Sequence, residues 1–198
     1  MKLARIVAVC FFLVNLHTVS AQTAWSQLGG DIVGSADGDG LGAMLSISAD
    51  GTIVAVGAPS ADAGGSSFST RGLVKVYAMQ SGSWIQMGST INGTEDGASF
   101  GASVSLSDDG TLLAIGAPHS ASTFGEFSNS GQMKIYSWDG LLSDWSLETT
   151  VEAEAAGDNF GYAISISGDG SVIAVGAPIS AAGGDSRGRV RVYDWNGS

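Results

Sequence analysis

Carboxylates dominate the residues of this sequence that could carry out chemistry, and histidines are scarce. The chain contains 19 Asp and Glu against 8 Lys and Arg, and its two histidines are His17, near an apolar N-terminal run, and His119. A serine triad needs a histidine beside its serine, and no GxSxG, HExxH, CxxC or phosphate-binding motif is present. The sequence therefore predicts a non-catalytic protein. Carboxylates acting as acid and base on a polysaccharide, in a hydrolase or lyase, are the alternative.

The carboxylates recur at regular intervals. One set lies in Asp-Gly dipeptides at 50–51, 109–110 and 169–170. A second set comes shortly before a Leu-Gly or Phe-Gly pair and comprises Asp37, Asp39, Glu95, Asp96 and Asp158. The formal net charge is -11, which argues against a nucleic-acid partner, because binding a phosphate backbone needs clustered Lys and Arg.

One segment, which contains the Asp-Gly set, occurs three times with small changes. It reads GAMLSISADGTIVAVGAP at 42–59, GASVSLSDDGTLLAIGAP at 101–118 and GYAISISGDGSVIAVGAP at 161–178. Such a fixed period indicates a repeat architecture. In each copy, apolar residues alternate with serines, and a nearly continuous apolar run follows the Asp-Gly pair. These patterns predict two strands joined by a hairpin turn.

Each repeat continues into further strands. A third strand is predicted at 73–77, 132–136 and 189–193, after long connections at 60–71, 119–130 and 179–187. A fourth strand is predicted from Trp84 and from Trp145, and the same pattern predicts an N-terminal strand at 25–34. The stretch 147–156 is rich in Glu and Ala, but Thr149, Thr150 and Val151 favour a strand. Its place in the repeat decides for a strand over a helix.

The spacing from Phe-Gly to Gly-Ala-Pro at 100–118 and 160–178, with Leu replacing Phe at 41–59, resembles FG-GAP repeats. These repeats are the blade unit of the integrin α-subunit propeller and of many secreted proteins. The resemblance implies an all-β fold, a β-propeller-like array of about three four-stranded antiparallel blades, with repeats near 41–99, 100–159 and 160–198. It also implies extracellular recognition or cell adhesion.

Three repeats are fewer than the roughly 4 to 8 blades of a usual propeller. Three outcomes are therefore open. The chain is an incomplete propeller that forms a structural segment of a larger secreted protein, or it self-associates to complete a ring, or the N-terminal strand pairs with the last three strands in a closed array of three units.

Many FG-GAP repeats contain a calcium loop of the form DxDxDGxxD, so the resemblance raises the question of a metal. The corresponding segments at 48–51, 107–110 and 167–170 offer one or two carboxylates each. Calcium takes about 6 to 8 oxygen ligands. We therefore predict hairpin turns at these positions, with no metal site and no cofactor.

The second acidic set belongs to a different part of the predicted blade. In a blade, the connection that precedes the first strand lies on the same rim as the connection between strands two and three. The residues predicted to bind a ligand on this rim are Asp37, Asp39, Glu95, Asp96, Asp158 and His119. The expected ligand is an extracellular protein or a carbohydrate. The alternative is that these acidic residues only solvate the rim and stabilise its turns.

The first 21 residues match a secretory signal peptide. Lys2 and Arg5 precede the apolar run 6–14, and Val-Ser-Ala at 19–21 forms a small-residue cleavage site before Gln22. The apolar run is shorter than the about 20 residues that cross a membrane, so we expect a secreted, extracellular chain without a transmembrane segment. Asn92, in Asn-Gly-Thr, is a candidate for N-glycosylation.

Overall fold

Antiparallel strands form every regular element of the computed structural model, which describes residues 25–62, 69–121, 129–180 and 187–195. The strands belong to three sheets, each containing one repeat. Blade 1 consists of β1 (Met44–Ile47), β2 (Ile53–Ala58), β3 (Leu73–Gln80), β4 (Ser83–Gln86) and β5 (Ile91–Asn92). Blade 2 consists of β6 (Ser103–Leu106), β7 (Leu112–Ala117), β8 (Gln132–Asp139) and β9 (Asp144–Glu152). Blade 3 consists of β10 (Ala163–Ile166), β11 (Val172–Ala177) and β12 (Arg189–Asp194).

The predicted all-β, propeller-like array of blades is confirmed. Blade 2 lies between the other two, and its first strand, β6, contacts both β1 and β10. The three sheets do not close into a ring. The described residues include no helix, and therefore none that could span a membrane.

The fourth strands differ between the repeats. In blade 2, β9 is continuous, which confirms the choice of strand over helix for most of 147–156. In blade 1, the fourth strand is divided into β4 and β5, and both pieces pair with β3. Residues 87–90 lie between these pieces, and Ser89 donates hydrogen bonds from its backbone N and Oγ to the Asp144 carboxylate of blade 2 (2.8 and 2.9 Å).

The N-terminal strand predicted at 25–34 does not form in the single chain. Residues 25–34, called the leading segment below, have no strand conformation. In one of the three open outcomes this segment is the fourth strand beside the last three strands, but it lies against blade 1, where the Leu28 carbonyl accepts a hydrogen bond from Trp84 Nε1. Blade 2 separates it from β12. A strand needs a neighbour for its backbone hydrogen bonds, and the described part of this single chain places none beside the segment.

The Asp-Gly pairs form the hairpin turns that join the first two strands of each blade. In the first turn, Gly51 donates its backbone N–H to the Ser48 carbonyl, and its φ is 73°. The positive φ strains residues with a Cβ and suits glycine. The Asp50 carboxylate accepts hydrogen bonds from Ser48 Oγ and from the backbone N and Oγ1 of Thr52. The turns at 107–111 and 167–171 have the same arrangement.

The core consists of two layers, one on each side of blade 2. Ala55, Val74 and Val76 of blade 1 pack against Leu113 and Ile115 of blade 2. The opposite face of blade 2, which includes Ala114 and Met133, packs against Ile173 and Val175 of blade 3. Neighbouring residues of a strand point to opposite faces of the sheet, so the apolar run of β7 serves both layers.

Blades 1 and 3 each have one buried face, and their outer faces expose apolar side chains. Leu45 and Ile47 of β1 are 64% and 59% exposed, and Val190 and Val192 of β12 are 69% and 67% exposed. Single exposed apolar residues are common, but contiguous apolar surface indicates an interaction site.

Candidate functional site

The rim that carries the second acidic set is built from the junctions between blades. Phe100 and Phe160 begin blades 2 and 3, and each is 2% exposed. Their backbone N–H groups donate to the carbonyls of Arg71 and Ser130, which lie at the end of the preceding blade's long connection (both 2.9 Å). Each junction therefore joins the start of one blade to the base of a long connection in the blade before it.

Glu95 and Asp96, two of the predicted site residues, form hydrogen bonds with residues at the blade junctions. Glu95 accepts hydrogen bonds from Gln132 Nε2 (3.0 Å) at the start of β8 and from the backbone N of Ala121 (3.2 Å). Asp96 accepts a hydrogen bond from Arg71 Nε at 2.5 Å. Both carboxylates thus hold the bases of long connections in place, and Asp96 is also exposed.

His119 lies on the same junction and is exposed. Its backbone N donates to the Ala98 carbonyl (3.3 Å), and its Nδ1 lies at hydrogen-bond distance, 3.1 Å, from Ser99 Oγ. The imidazole is therefore oriented by its own junction and is accessible to a ligand.

The remaining predicted site residues lie at other junctions. Asp37 is exposed and Asp39 half-buried in the turns that precede blade 1. Asp158, directly before Asn159 and Phe160, is only 5% exposed, so little of it is available to a ligand. Among the described residues, no three acidic or histidine side chains come close enough together to hold a metal ion. Asn92 is exposed on β5.

One polar group of the rim was not identified from the sequence. Glu154, in the connection between blades 2 and 3, accepts hydrogen bonds from Arg189 (3.1 Å) and from Arg191. The bond from Arg189 and the charge of Arg191 lower the pKa of Glu154. Glu154 lies in the same connection of the repeat as Glu95, so alignment of the connections would have indicated it. Arg191 also lies over the ring of Phe160, 5.9 Å from its centre, as Lys134 does over Phe100.

Comparison with known proteins confirms the resemblance over part of the chain. The family model for the FG-GAP repeat matches residues 145–193, from the start of β9 into β12. No curated protein matches the sequence. The crystal structure of Saccharomyces cerevisiae Sqt1 is similar, with 17% sequence identity and a TM-score of 0.48. The match covers 81% of this chain and 32% of that one, so this chain spans about a third of its length.

Proposed function

We propose that this protein is a secreted, non-catalytic recognition module that binds an extracellular ligand with the rim at its blade junctions. The observation that supports the proposal most directly is the way both junctions anchor long connections. Glu95 bonds to Ala121 at one junction, and at the next the backbone N of Asn159 donates to the Asn129 carbonyl (3.0 Å). Loops that are held at their bases by a rigid scaffold commonly carry binding residues.

The negative charge of the protein limits the kinds of ligand that we expect the rim to bind. The chain has a formal net charge of -11, and Asp37 is exposed on the rim, whereas the exposed Asp96 is paired with Arg71. A negative field repels anionic ligands and attracts cationic ones. We therefore expect a neutral carbohydrate or a basic protein surface, and weak binding of sulfated or uronate-rich polysaccharides.

Secretion is tested separately from binding. When the full chain is expressed in a secreting host, we expect it in the medium with Gln22 as its first residue, as determined by N-terminal sequencing. Retention of residues 1–21 on a cell-associated protein would contradict the proposed export.

Binding is tested with the secreted protein on panels of neutral glycans, anionic glycans and basic extracellular proteins. We expect Asp37→Asn and His119→Ala each to weaken binding of the selected ligand about tenfold, measured by biolayer interferometry. Asp108→Asn is the matched control, because this exposed carboxylate lies in a hairpin turn at the opposite end of the strands. Equal affinities for all three variants would contradict a rim site.

Cleavage of a polysaccharide that is lost in Asp37→Asn or Asp158→Asn would instead support the hydrolase or lyase alternative.

A further inference from the structure

The outer faces of blades 3 and 1 resemble the two surfaces that meet at a junction between blades. We propose that two copies of this chain join head to tail into a six-bladed ring, in which the leading segment of each copy becomes the fourth strand of blade 3 in the other. Two sets of three blades fall within the range of about 4 to 8 found in propellers. This proposal concerns assembly and does not depend on the ligand of the rim.

The first observation is the unpaired edge of β12. In blades 1 and 2, the third strand pairs with a fourth on its outer side, whereas among the described residues β12 pairs with β11 alone. Such an edge offers free backbone donors and acceptors to another strand. The leading segment reads WSQLGGDIVG, and the corresponding residues 84–93 of blade 1 read WIQMGSTING. The leading segment therefore has the sequence pattern of a fourth strand.

The second observation is that the leading segment already occupies the position of a fourth strand, in front of blade 1. Trp84 Nε1 donates to the Leu28 carbonyl at 2.9 Å, and Trp145 Nε1 of blade 2 donates to the Met87 carbonyl at 3.0 Å. Residues 28 and 87 are equivalent in the repeat. The segment thus contacts blade 1 as residues 84–93 contact blade 2, but without the three inner strands of its own blade.

The third observation is an apolar groove of about 310 Å³ between blades 2 and 3, lined by Leu112, Ile135, Ile173, Tyr193 and Trp195, among others. The same repeat positions also lie at the junction of blades 1 and 2. There, the residues at these positions pack against a tryptophan.

That tryptophan is Trp145, which packs against the core cluster between blades 1 and 2. It also pairs with Trp138 in the ladder, with ring centres 5.5 Å apart. Trp25 is its equivalent in the leading segment and is 98% exposed. In the ring, Trp25 of the second copy covers the groove and lies opposite Trp195, as Trp145 lies opposite Trp138.

The fourth observation concerns Gly176, a glycine position at which a single copy of the chain has room for a larger side chain. At Gly57 and Gly116, a Cβ would overlap with the carbonyl oxygen of the glycine that begins the next blade, Gly101 or Gly161. Gly176 is the third member of this series, and the nearest atom to its Cβ position is Ala163 Cβ at 3.5 Å, an ordinary contact. A following blade of the same repeat would need this space.

The outer faces of blades 1 and 3 provide the remaining contacts between the two copies. Ser46 and Ser105 each accept a hydrogen bond at their Oγ from a backbone N–H of the following blade (2.9 and 3.0 Å). Ser165 has the same position in blade 3, where the following blade would be blade 1 of the second copy. The exposed apolar residues of β1 and β12 would then pack in the same interface.

The ring is tested by sedimentation velocity on the full protein and on Gly176→Ala. We expect the wild type to sediment as two copies and Gly176→Ala as one, with a retained β-sheet circular dichroism spectrum and cooperative unfolding. Gly140→Ala is the control, since a Cβ at this exposed turn meets no atom within 4 Å, and it should remain a dimer. A wild type that sediments as a single copy, or a Gly176→Ala variant that is still dimeric, would overturn the proposal.

Cross-linking tests the partner strand. By analogy with the pairing of Ala78 and Ile85 in blade 1, Ser26 of one copy lies opposite Asp194 of the other. Cysteines at paired strand positions lie within the usual disulfide range. We expect the double variant Ser26→Cys, Asp194→Cys to form a covalent dimer on oxidation, and each single variant to form none by this route. A bond within one chain, a ladder of longer oligomers, or no bond at all would contradict the two-copy ring.

Discussion

At the scale of single residues, the turn aspartates have the best-defined chemistry. Asp169 accepts hydrogen bonds from Ser167 Oγ (2.6 Å) and from the backbone N and Oγ of Ser171 (3.0 and 2.8 Å). These bonds, that of Ser167 foremost, lower the pKa of Asp169 to about 2. Similar bonds lower the pKa values of Asp50 and Asp109. The carboxylates of the Asp-Gly turns therefore stabilise the hairpins.

These lowered pKa values predict how stability depends on pH. Each pKa is lower in the folded chain than in the unfolded chain, so the stabilisation is complete above pH of about 4 and is lost as the pH falls towards 2. We expect the thermal midpoint of the wild type to fall over this range. Asp169→Asn should have a lower midpoint at pH 7 and approach the wild type near pH 2, because its neutral amide forms weaker bonds than a carboxylate. Parallel curves for the two proteins would show that the ionised form contributes nothing.

At the scale of strands and sheets, close backbone approach at the blade junctions sets the limits on substitution. Gly116 lies in β7, and a Cβ there would overlap with the Gly161 carbonyl oxygen of blade 3 and with Ser103 Oγ. The obstacle at Gly161 is backbone, which cannot rotate away as a flexible side chain can. The second and third blades would have to separate to accommodate a methyl group.

We therefore expect Gly116→Ala to destabilise the protein by about 3 kcal/mol, the upper part of the usual range for overpacking. The free energy of unfolding is measured by urea denaturation. Gly140→Ala, at an open position, should change it by less than about 0.5 kcal/mol, as surface substitutions usually do. Equal effects at both positions would mean that the blades are not packed as closely as described.

At the scale of the whole molecule, each blade depends on its neighbours for burial. In repeat arrays, stability is divided between single units and the interfaces between adjacent units. Blade 2 has two such interfaces, and Leu113, Ala114 and Ile115 of its β7 are fully buried. Blades 1 and 3 have one interface each in a single chain.

This difference is measurable by amide hydrogen exchange. In a chain held as single copies by Gly176→Ala, we expect β7 to exchange at least tenfold more slowly than β2 and β11, because opening β7 disrupts both interfaces. In the wild-type ring all blades have two interfaces, so the rates should become similar. Uniform exchange in the single-copy variant would contradict a central blade that is protected by its neighbours.

Much of the fold can be predicted from local patterns. The alternation of serine with apolar residues at 103–106, the Asp-Gly turns and the apolar runs are properties of short segments, and their recurrence predicts three blades. The turns and the alternation depend on neighbours within a few residues. The strand at β9 is favoured by Thr149, Thr150 and Val151, but the place of this stretch in the repeat decides for a strand over a helix.

Spatial packing decided the rest. The leading segment has a strand-like sequence but no strand partner in the described chain, because pairing depends on the adjacent backbone as well as on propensity. Glu95 and Gln132 are 37 residues apart in sequence, yet they form a hydrogen bond, and Asp158 is buried whereas Asp37 is exposed. Local sequence therefore specified the blades, whereas the arrangement of one blade against the next determined which edges stay open and which carboxylates face solvent.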